Sequence, residues 1–337
     1  MKERGRGQPA MTESQTTQSD RVPREAIQKD ALTAFGMGPV PGELVESIRA
    51  LGITHPLVLI PYEDGFCVVC GHRRLEAAEL LGLDTVPAHL VEPMPEADRL
   101  MCNLQENRAH RRYTDIEKGR ILHRLRSAGI EETALVTEVL PILGEPKTRR
   151  RAVDLLSVHV FAESFQRLMH ELNIPLRVFV VMTKWGDADR AAAEHLFSQL
   201  RPGHNKWRSV LEMVDEIATR DAIAPADVLV HAAILKTLED ASLPSNEKYD
   251  AIFSRLHARR YPHLSDLQSR VRKAAERLQL DPKTKLKLPE NFEQDLVKIE
   301  LKFSTEEELT RQVEKLFGAC DAEALKELLR TLKDPIA

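Results

Sequence analysis

The sequence predicts an α+β chain. A small α/β unit comes first, then a long helical region containing a helix-turn-helix, then a short strand-helix segment. Three observations predict it. Apolar runs at Leu57–Ile60, Phe66–Cys70 and Val86–Val91 have strand length and are separated by turn residues and one short helical stretch. From about residue 115 to 278, apolar residues recur at helical spacing, with breaks at proline and glycine. Near the end, Val297, Ile299, Leu301 and Phe303 alternate with Lys298, Glu300 and Lys302, the pattern of a half-buried strand.

Composition sets outer bounds. A chain of 337 residues, 42% hydrophobic and 30% charged, accommodates two or three domains. No apolar run approaches membrane-span length, and the start of the chain has no hydrophobic signal core. Four cysteines at irregular spacing do not make a disulfide framework, so a cytoplasmic location is expected. A net charge of −4 excludes a uniformly basic nucleic-acid binder, so any DNA contact must come from local patches.

Residues 1–25 are polar and aperiodic and are expected to be a disordered tail. In the α/β unit, taken as residues 26–112, Glu43 to Leu51 reads as a helix with Leu44, Ile48 and Leu51 on one face. Glu63-Asp64-Gly65 is a turn between two strands. Gly71 then sits at a strand-to-helix junction, with Leu75, Ala78, Leu80 and Leu81 forming the helix that follows and Gly82 ending it.

His72, Arg73 and Arg74 therefore occupy the first turn of that helix, where the positive end of the dipole disfavours cations. A bound anion reverses this, because free backbone N–H groups and both guanidinium forks converge on it. The bland reading is a solvated arginine pair. The neighbouring Cys67 and Cys70 form a C-x-x-C pattern, but strand residues three apart point to opposite faces, and buried strand cysteines are the expectation.

Thr114 with Glu117 is a capping box for a helix from about Asp115 to Gly129. A helix over Glu131 to Leu143, the break Gly144-Glu145-Pro146 and a helix opening at Lys147-Thr148-Arg149-Arg150-Arg151 give a helix-turn-helix layout with a basic second helix. Such a helix enters the major groove, where arginine forks onto guanine and lysine or threonine meets phosphate. The same pattern also suits an ordinary helical hairpin. Helical breaks follow at Pro175, Gly186-Asp187, Pro202-Gly203 and Pro225, and Trp207 reads as a core anchor. The helical DNA-binding domain is taken as 113–240 and a helical connector as 241–283, with Asp281 to Pro289 turn-rich. A C-terminal segment, 284–337, is expected to dimerise or dock.

Two stretches together carry a resemblance. Gly71-His72-Arg73-Arg74-Leu75-Glu76-Ala77-Ala78, followed some thirty residues later by Gln105-Glu106-Asn107-Arg108, resembles the ParB family of partition proteins, as does the upstream Gly52-Ile53-Thr54-His55-Pro56-Leu57. The resemblance covers about residues 40–125 and extends loosely to about 200. Two positions depart from the family pattern: His72 stands where glutamate is usual, and His110 where an arginine is expected. The N-terminal fold is also similar to sulfiredoxin, but Cys70 lies one residue ahead of the turn position where that family has its reactive cysteine.

The resemblance implies a CTP pocket with Mg2+. Gly71, His72, Arg73, Arg74, Glu106, Asn107, Arg108 and Arg111 would line it. Glu106 and Asn107 would be placed toward the metal, and Glu106 would assist slow hydrolysis. It further implies double-stranded DNA at Lys147, Thr148, Arg149, Arg150 and Arg151, a homodimer, a ParA-like ATPase partner and a role in chromosome or plasmid partition. Two alternatives stay open: a small-molecule kinase acting on free amino acids, which the same small fold resembles, and a nucleotide-independent repressor.

Overall fold

The computed structural model describes residues 20–287, 297–320 and 323–333. The chain divides into two compact units, with the division between Arg208 and Ser209.

In the first unit, a five-stranded sheet is built from β1 (Asp20–Pro23), β2 (Ile27–Gln28), β3 (Leu57–Tyr62), β4 (Gly65–Cys70) and β5 (Thr85–Leu90), in the order β1-β5-β3-β4-β2. β3 and β4 form the expected antiparallel hairpin, and β5 runs parallel to β3. The edge strands β1 and β2 had no periodicity to announce them. β1 pairs antiparallel with β5 from Asp20 to Pro23, so the end of the stretch expected to be a tail is a strand. Residues 1–19 lie outside the described residues.

α1 (Gly42–Leu51) and α2 (His72–Leu80) lie at residues close to those the pattern gave. One sheet face packs Leu57, Leu59, Val68, Val86 and Ala88 against Leu75 and Ala78 of α2. The other face carries Ile60, Cys67, Val69 and Cys70, with Cys102 of α3 (Glu96–Asn107) packed against them.

The hairpin is irregular at one point. Ile60 pairs with Cys67 and Leu59 with Val68, but Val58 pairs with Cys70, so Val69 is an extra residue. A bulge of this kind shifts the alternation by one. Cys67 and Cys70 therefore belong to the same cluster, against the expectation that they face apart. At the bulge, side chains hydrogen-bond two backbone carbonyls. Thr33 Oγ1 donates to Val68 O (3.1 Å), and Asn103 Nδ2 donates to Val69 O (2.5 Å).

The rest of the first unit is helical. α4 (Asp115–Ser127) begins with the complete Thr114–Glu117 capping box and buries Ile116, Ile121, Leu122 and Leu125. α5 (Glu132–Ala134) and α6 (Leu140–Ile142) are joined by a π-turn over Leu135–Val139. The wider turn accommodates Pro141, which has no N–H to give the carbonyl four residues back. α7 (Arg149–Leu156) follows after Gly144, capped by Thr148 Oγ1 accepting from Arg151 N (3.3 Å).

Gly119 lets α4 come close to the end of α7. A Cβ there would run into Leu155 O and the Val158 side chain. α8 (Glu163–Glu171), α9 (Leu176–Phe179) and α10 (Asp187–Gln199) follow, and α11 (His204–Asp221) begins in this unit and continues past its boundary. Trp207 is a core anchor, as expected, stacked on Phe197 at 3.8 Å.

The second unit contains α12 (Pro225–Leu229), α13 (Ala232–Glu239), α14 (Ser245–Arg260) and α15 (Pro262–Arg277). β6 (Thr284–Lys287) pairs antiparallel with β7 (Lys298–Leu301), and α16 (Glu306–Cys320) and α17 (Glu323–Lys333) follow. The stretch expected to be turn-rich thus contains a strand, whose Thr284 and Leu286 turn inward while Lys285 and Lys287 stay exposed. Leu267, Val271, Ala274 and Leu278 share a core with Ala319 and Leu328, so the strand-helix segment docks on α15.

Candidate functional site: a cavity between two motifs

A cavity of about 800 Å³ opens in the first unit between α2, the end of α3 and the loop over residues 30–41. Its lining includes Gly71, His72, Arg73 and Arg74 from one motif and Asn103, Glu106 and Asn107 from the other. Arg111, Arg112 and Thr114 of the connection between α3 and α4, with Glu117 of α4 and His170 of α8, form another side.

Gly71 makes the junction possible. Its φ of 102° is left-handed, and a Cβ would press on the Leu57 side chain. The first intrahelical bond of α2 runs from Leu75 N to Gly71 O, so the amides of residues 72–74 stand ahead of it at the positive end of the helix.

Each basic side chain has a definite position. Arg73 donates to Met37 O (2.8 Å) and Gly38 O (2.6 Å) in the loop. Arg74 donates to His55 O (2.7 Å), to Pro56 O (3.0 Å) and to Glu106 Oε1 (2.6 Å). The two motifs therefore touch through Arg74 and Glu106. Most of the guanidinium bonds go to neutral carbonyls, over which an anionic ligand has the advantage of a full opposite charge and oxygens that match the guanidinium fork.

His72 turns away from solvent. Its Nε2 donates to Asp30 O and Thr33 Oγ1, both at 3.2 Å. Burial pulls its pKa down to about 4, so the ring is neutral and holds the loop. Asn107 Nδ2 donates to Asn103 O (2.8 Å) and Oδ1 (3.0 Å). Arg111 Nη2 pairs with buried Glu117 (2.6 Å), whereas Arg108 is exposed at the end of α3 and does not line the cavity.

The sequence reading missed the loop and several residues it contacts. Asp30 pairs with Arg99 of α3 (2.8 Å), and Leu32 O and Ala34 O accept from Arg124 of α4 (2.9 and 2.8 Å). Met37 O contacts His170 Nε2 of α8 (3.1 Å). One loop thus links α2, α3, α4 and α8 around the cavity. Tyr113 is another omission. Its hydroxyl is buried without a hydrogen-bond partner, burial pushes its pKa up to about 12, and Arg111 lies over its ring at 4.6 Å. Arg-Arg-Tyr at 111–113 was the available signal.

Residues 10–108 match the family model described as the ParB N-terminal domain. The chain is 36% identical over 103 residues to the probable chromosome-partitioning protein ParB of Coxiella burnetii, which covers 31% of this chain and 32% of that protein. It is 26% identical over 159 residues to the probable chromosome 1-partitioning protein ParB of Deinococcus radiodurans, covering 42% and 52%. The matches thus span a third to a half of these relatives' length. Among solved structures, C-terminally truncated ParB from Caulobacter crescentus complexed to the centromeric parS site aligns with a TM-score of 0.36 and 16% identity, covering 58% of this chain and 99% of that one.

Beyond the matched segment, the helix-turn-helix displays some of the expected residues and uses others internally. Arg149 and Arg150 are 80% and 92% exposed, and Lys147 and Thr148 are also exposed. Arg151 is drawn inward to Glu145 (2.6 Å) and Asp115 (3.3 Å), and Lys118 joins the same carboxylates (2.5 and 3.5 Å). Burial works against the Glu145 charge, yet the bonds from Arg151 and Lys118 hold its pKa below the ordinary range. Arg151 therefore fastens α7 to α4, and the outward cations are Lys147, Arg149 and Arg150.

Among the described residues, no cluster of three or more His, Cys, Asp or Glu side chains can hold a metal unaided. Also among them, no helix is long and apolar enough to cross a membrane.

Proposed function

We propose that this chain is a CTP-dependent DNA-binding switch of the partition type. The observation that carries the reading is the convergence of the Gly71–Arg74 turn and the Glu106-Asn107 motif on one cavity, inside a segment matching the ParB N-terminal domain. CTP is the nucleotide implied by the resemblance. Arg73 and Arg74 would exchange backbone carbonyls for phosphate oxygens, and the first-turn amides of α2 would add donors. Release of Arg74 frees Glu106, whose carboxylate would face a magnesium-bound phosphate and assist slow hydrolysis. One carboxylate with an amide oxygen beside it suits Mg2+, which takes few protein ligands and the rest from phosphate and water. The ion would neutralise phosphate charge.

Duplex DNA would lie against Lys147, Thr148, Arg149 and Arg150, with phosphate contacts giving affinity and arginine forks giving sequence preference. The helical stretch to about residue 240 would complete this DNA-binding region, with 241–283 as connector. The segment from 284 would pair two copies. Support comes from its exposed Phe303 and Phe317, 52% and 74% accessible. A ParA-like ATPase partner belongs to the same reading.

The test is calorimetric titration of CTP, ATP and GTP with Mg2+ into wild type and Arg73→Ala. CTP-selective binding lost in the variant is the expected result. ATP selectivity would favour the kinase reading, and absence of nucleotide binding beside salt-sensitive DNA binding would leave a repressor.

A further inference from the structure

Behind the cavity, the sulfurs of Cys70 and Cys102 lie 3.9 Å apart. Cys70 is fully buried at the end of β4, one residue before the Gly71 turn. Cys102 is half-buried on α3, with Asn103 next to it and Glu106 one helical turn further on. The pair is a product of the bulge at Val69, which brings Cys70 to the sheet face covered by α3.

We propose that Cys70 and Cys102 are an oxidisable dithiol, a modification site directly behind the cavity-lining residues Gly71 and Asn103. The chemistry suits the geometry. The Cys70 thiol donates to the Cys102 sulfur, pulling the Cys102 pKa down to about 7 and pushing that of Cys70 far up. Cys102 is thus the thiolate and the accessible member, with Cys70 resolving.

With an organic disulfide such as oxidised glutathione as oxidant, the Cys102 thiolate attacks one of its sulfurs. A mixed disulfide forms and one glutathione thiolate leaves. Cys70 gives up its proton and attacks the Cys102 sulfur, and the second glutathione leaves as thiolate. Two protein thiols are oxidised and one small disulfide is reduced, so electrons and protons balance.

Closure has a consequence for the site. The sulfurs must approach to about 2.05 Å, which draws the α3 turn bearing Cys102 toward β4. Glu106, four residues on and therefore on the same face of α3, moves with it toward Arg74. The disulfide tightens the ion pair that an incoming phosphate has to open. This consequence rests on the nucleotide reading above, whereas the dithiol itself does not.

The full-length protein is incubated with oxidised glutathione, then analysed by intact mass and by peptide mapping without reduction. The expected result is loss of two hydrogens, a link between the β4 and α3 peptides, and reversal by dithiothreitol. CTP affinity should fall about tenfold in the oxidised wild type, the cost of one ion pair held shut. Oxidised Cys102→Ser should match its reduced form. A chain that forms no link under native conditions, or one that bridges Cys67 or Cys320 instead, overturns the site. A linked protein that binds CTP as tightly as the reduced one overturns the coupling. If the reduced protein binds no nucleotide, the reading of the cavity fails, and the peptide map alone decides the dithiol.

Discussion

Replacing His72 with glutamine tests how the loop over the cavity is held. The histidine is neutral in the folded chain because burial outweighs its bond to Asp30 O, and its pKa lies at about 4 against 6.5 when free. Between those values the unfolded segment binds a proton that the folded segment refuses, so local stability falls as pH drops from 6.5 toward 4. At about 1.4 kcal/mol for each tenfold change in proton affinity, the loss amounts to at most about 3 kcal/mol. Glutamine keeps one N–H donor for Asp30 O and Thr33 and has nothing to protonate. Hydrogen exchange of peptides covering residues 57–81 reads the local opening free energy. Comparing wild type and His72→Gln at each pH cancels the intrinsic exchange rate and the shared carboxylate titrations. The wild type should lose about 2–3 kcal/mol more than the variant between pH 7.5 and pH 4. Parallel pH dependence in the two proteins, or a wild type that gains protection in acid, would refute the placement of His72.

Other substitutions probe the supports of the same architecture. Asn103→Ala strips Val69 O of its partner at the bulge and should cost about 1–3 kcal/mol by denaturant unfolding; an unchanged midpoint would deny Asn103 that role. Gly119→Ala gains up to about 1 kcal/mol in helix propensity but forces Leu155 O and Val158 away from α4, a strain of about 1–3 kcal/mol, so thermal unfolding should shift down rather than up. Arg150→Ala should weaken duplex binding and lower the salt slope by about 1 without changing the melting temperature. Arg151→Ala should instead lower the melting temperature, because it leaves Lys118 as the one remaining cation, among the described residues, against the half-buried Glu145 and Asp115.

Much of this arrangement was legible because local rules were decisive. Glu63-Asp64-Gly65 punctuates a hairpin, Thr114–Glu117 caps a helix, and Gly71 marks a strand-to-helix junction. What escaped depended on contacts distant in sequence. Residues 20–28 carry no alternation, and their strands exist because β5 and β4 offer free edges to pair with. The expected face of Cys70 was wrong because a single extra residue, Val69, shifts the alternation, and the side chains that stabilise the bulge come from residues 33 and 103. Arg151 looked equivalent to Arg149 and Arg150, and only the fold shows that Glu145 and Asp115 claim it. The loop around Met37 gave no motif, since it acts through backbone carbonyls that any residue supplies.

The central claim is that one chain links nucleotide in the cavity to DNA on α7, and linkage makes a reciprocal demand. Whatever factor duplex DNA imposes on CTP affinity, CTP must impose on DNA affinity. Both affinities are measured by titration, each with and without saturating amounts of the other ligand, in the presence of Mg2+. The account predicts the same factor in both directions, on the order of fivefold or more, abolished by Arg73→Ala. Affinities that are unchanged by the second ligand would contradict it.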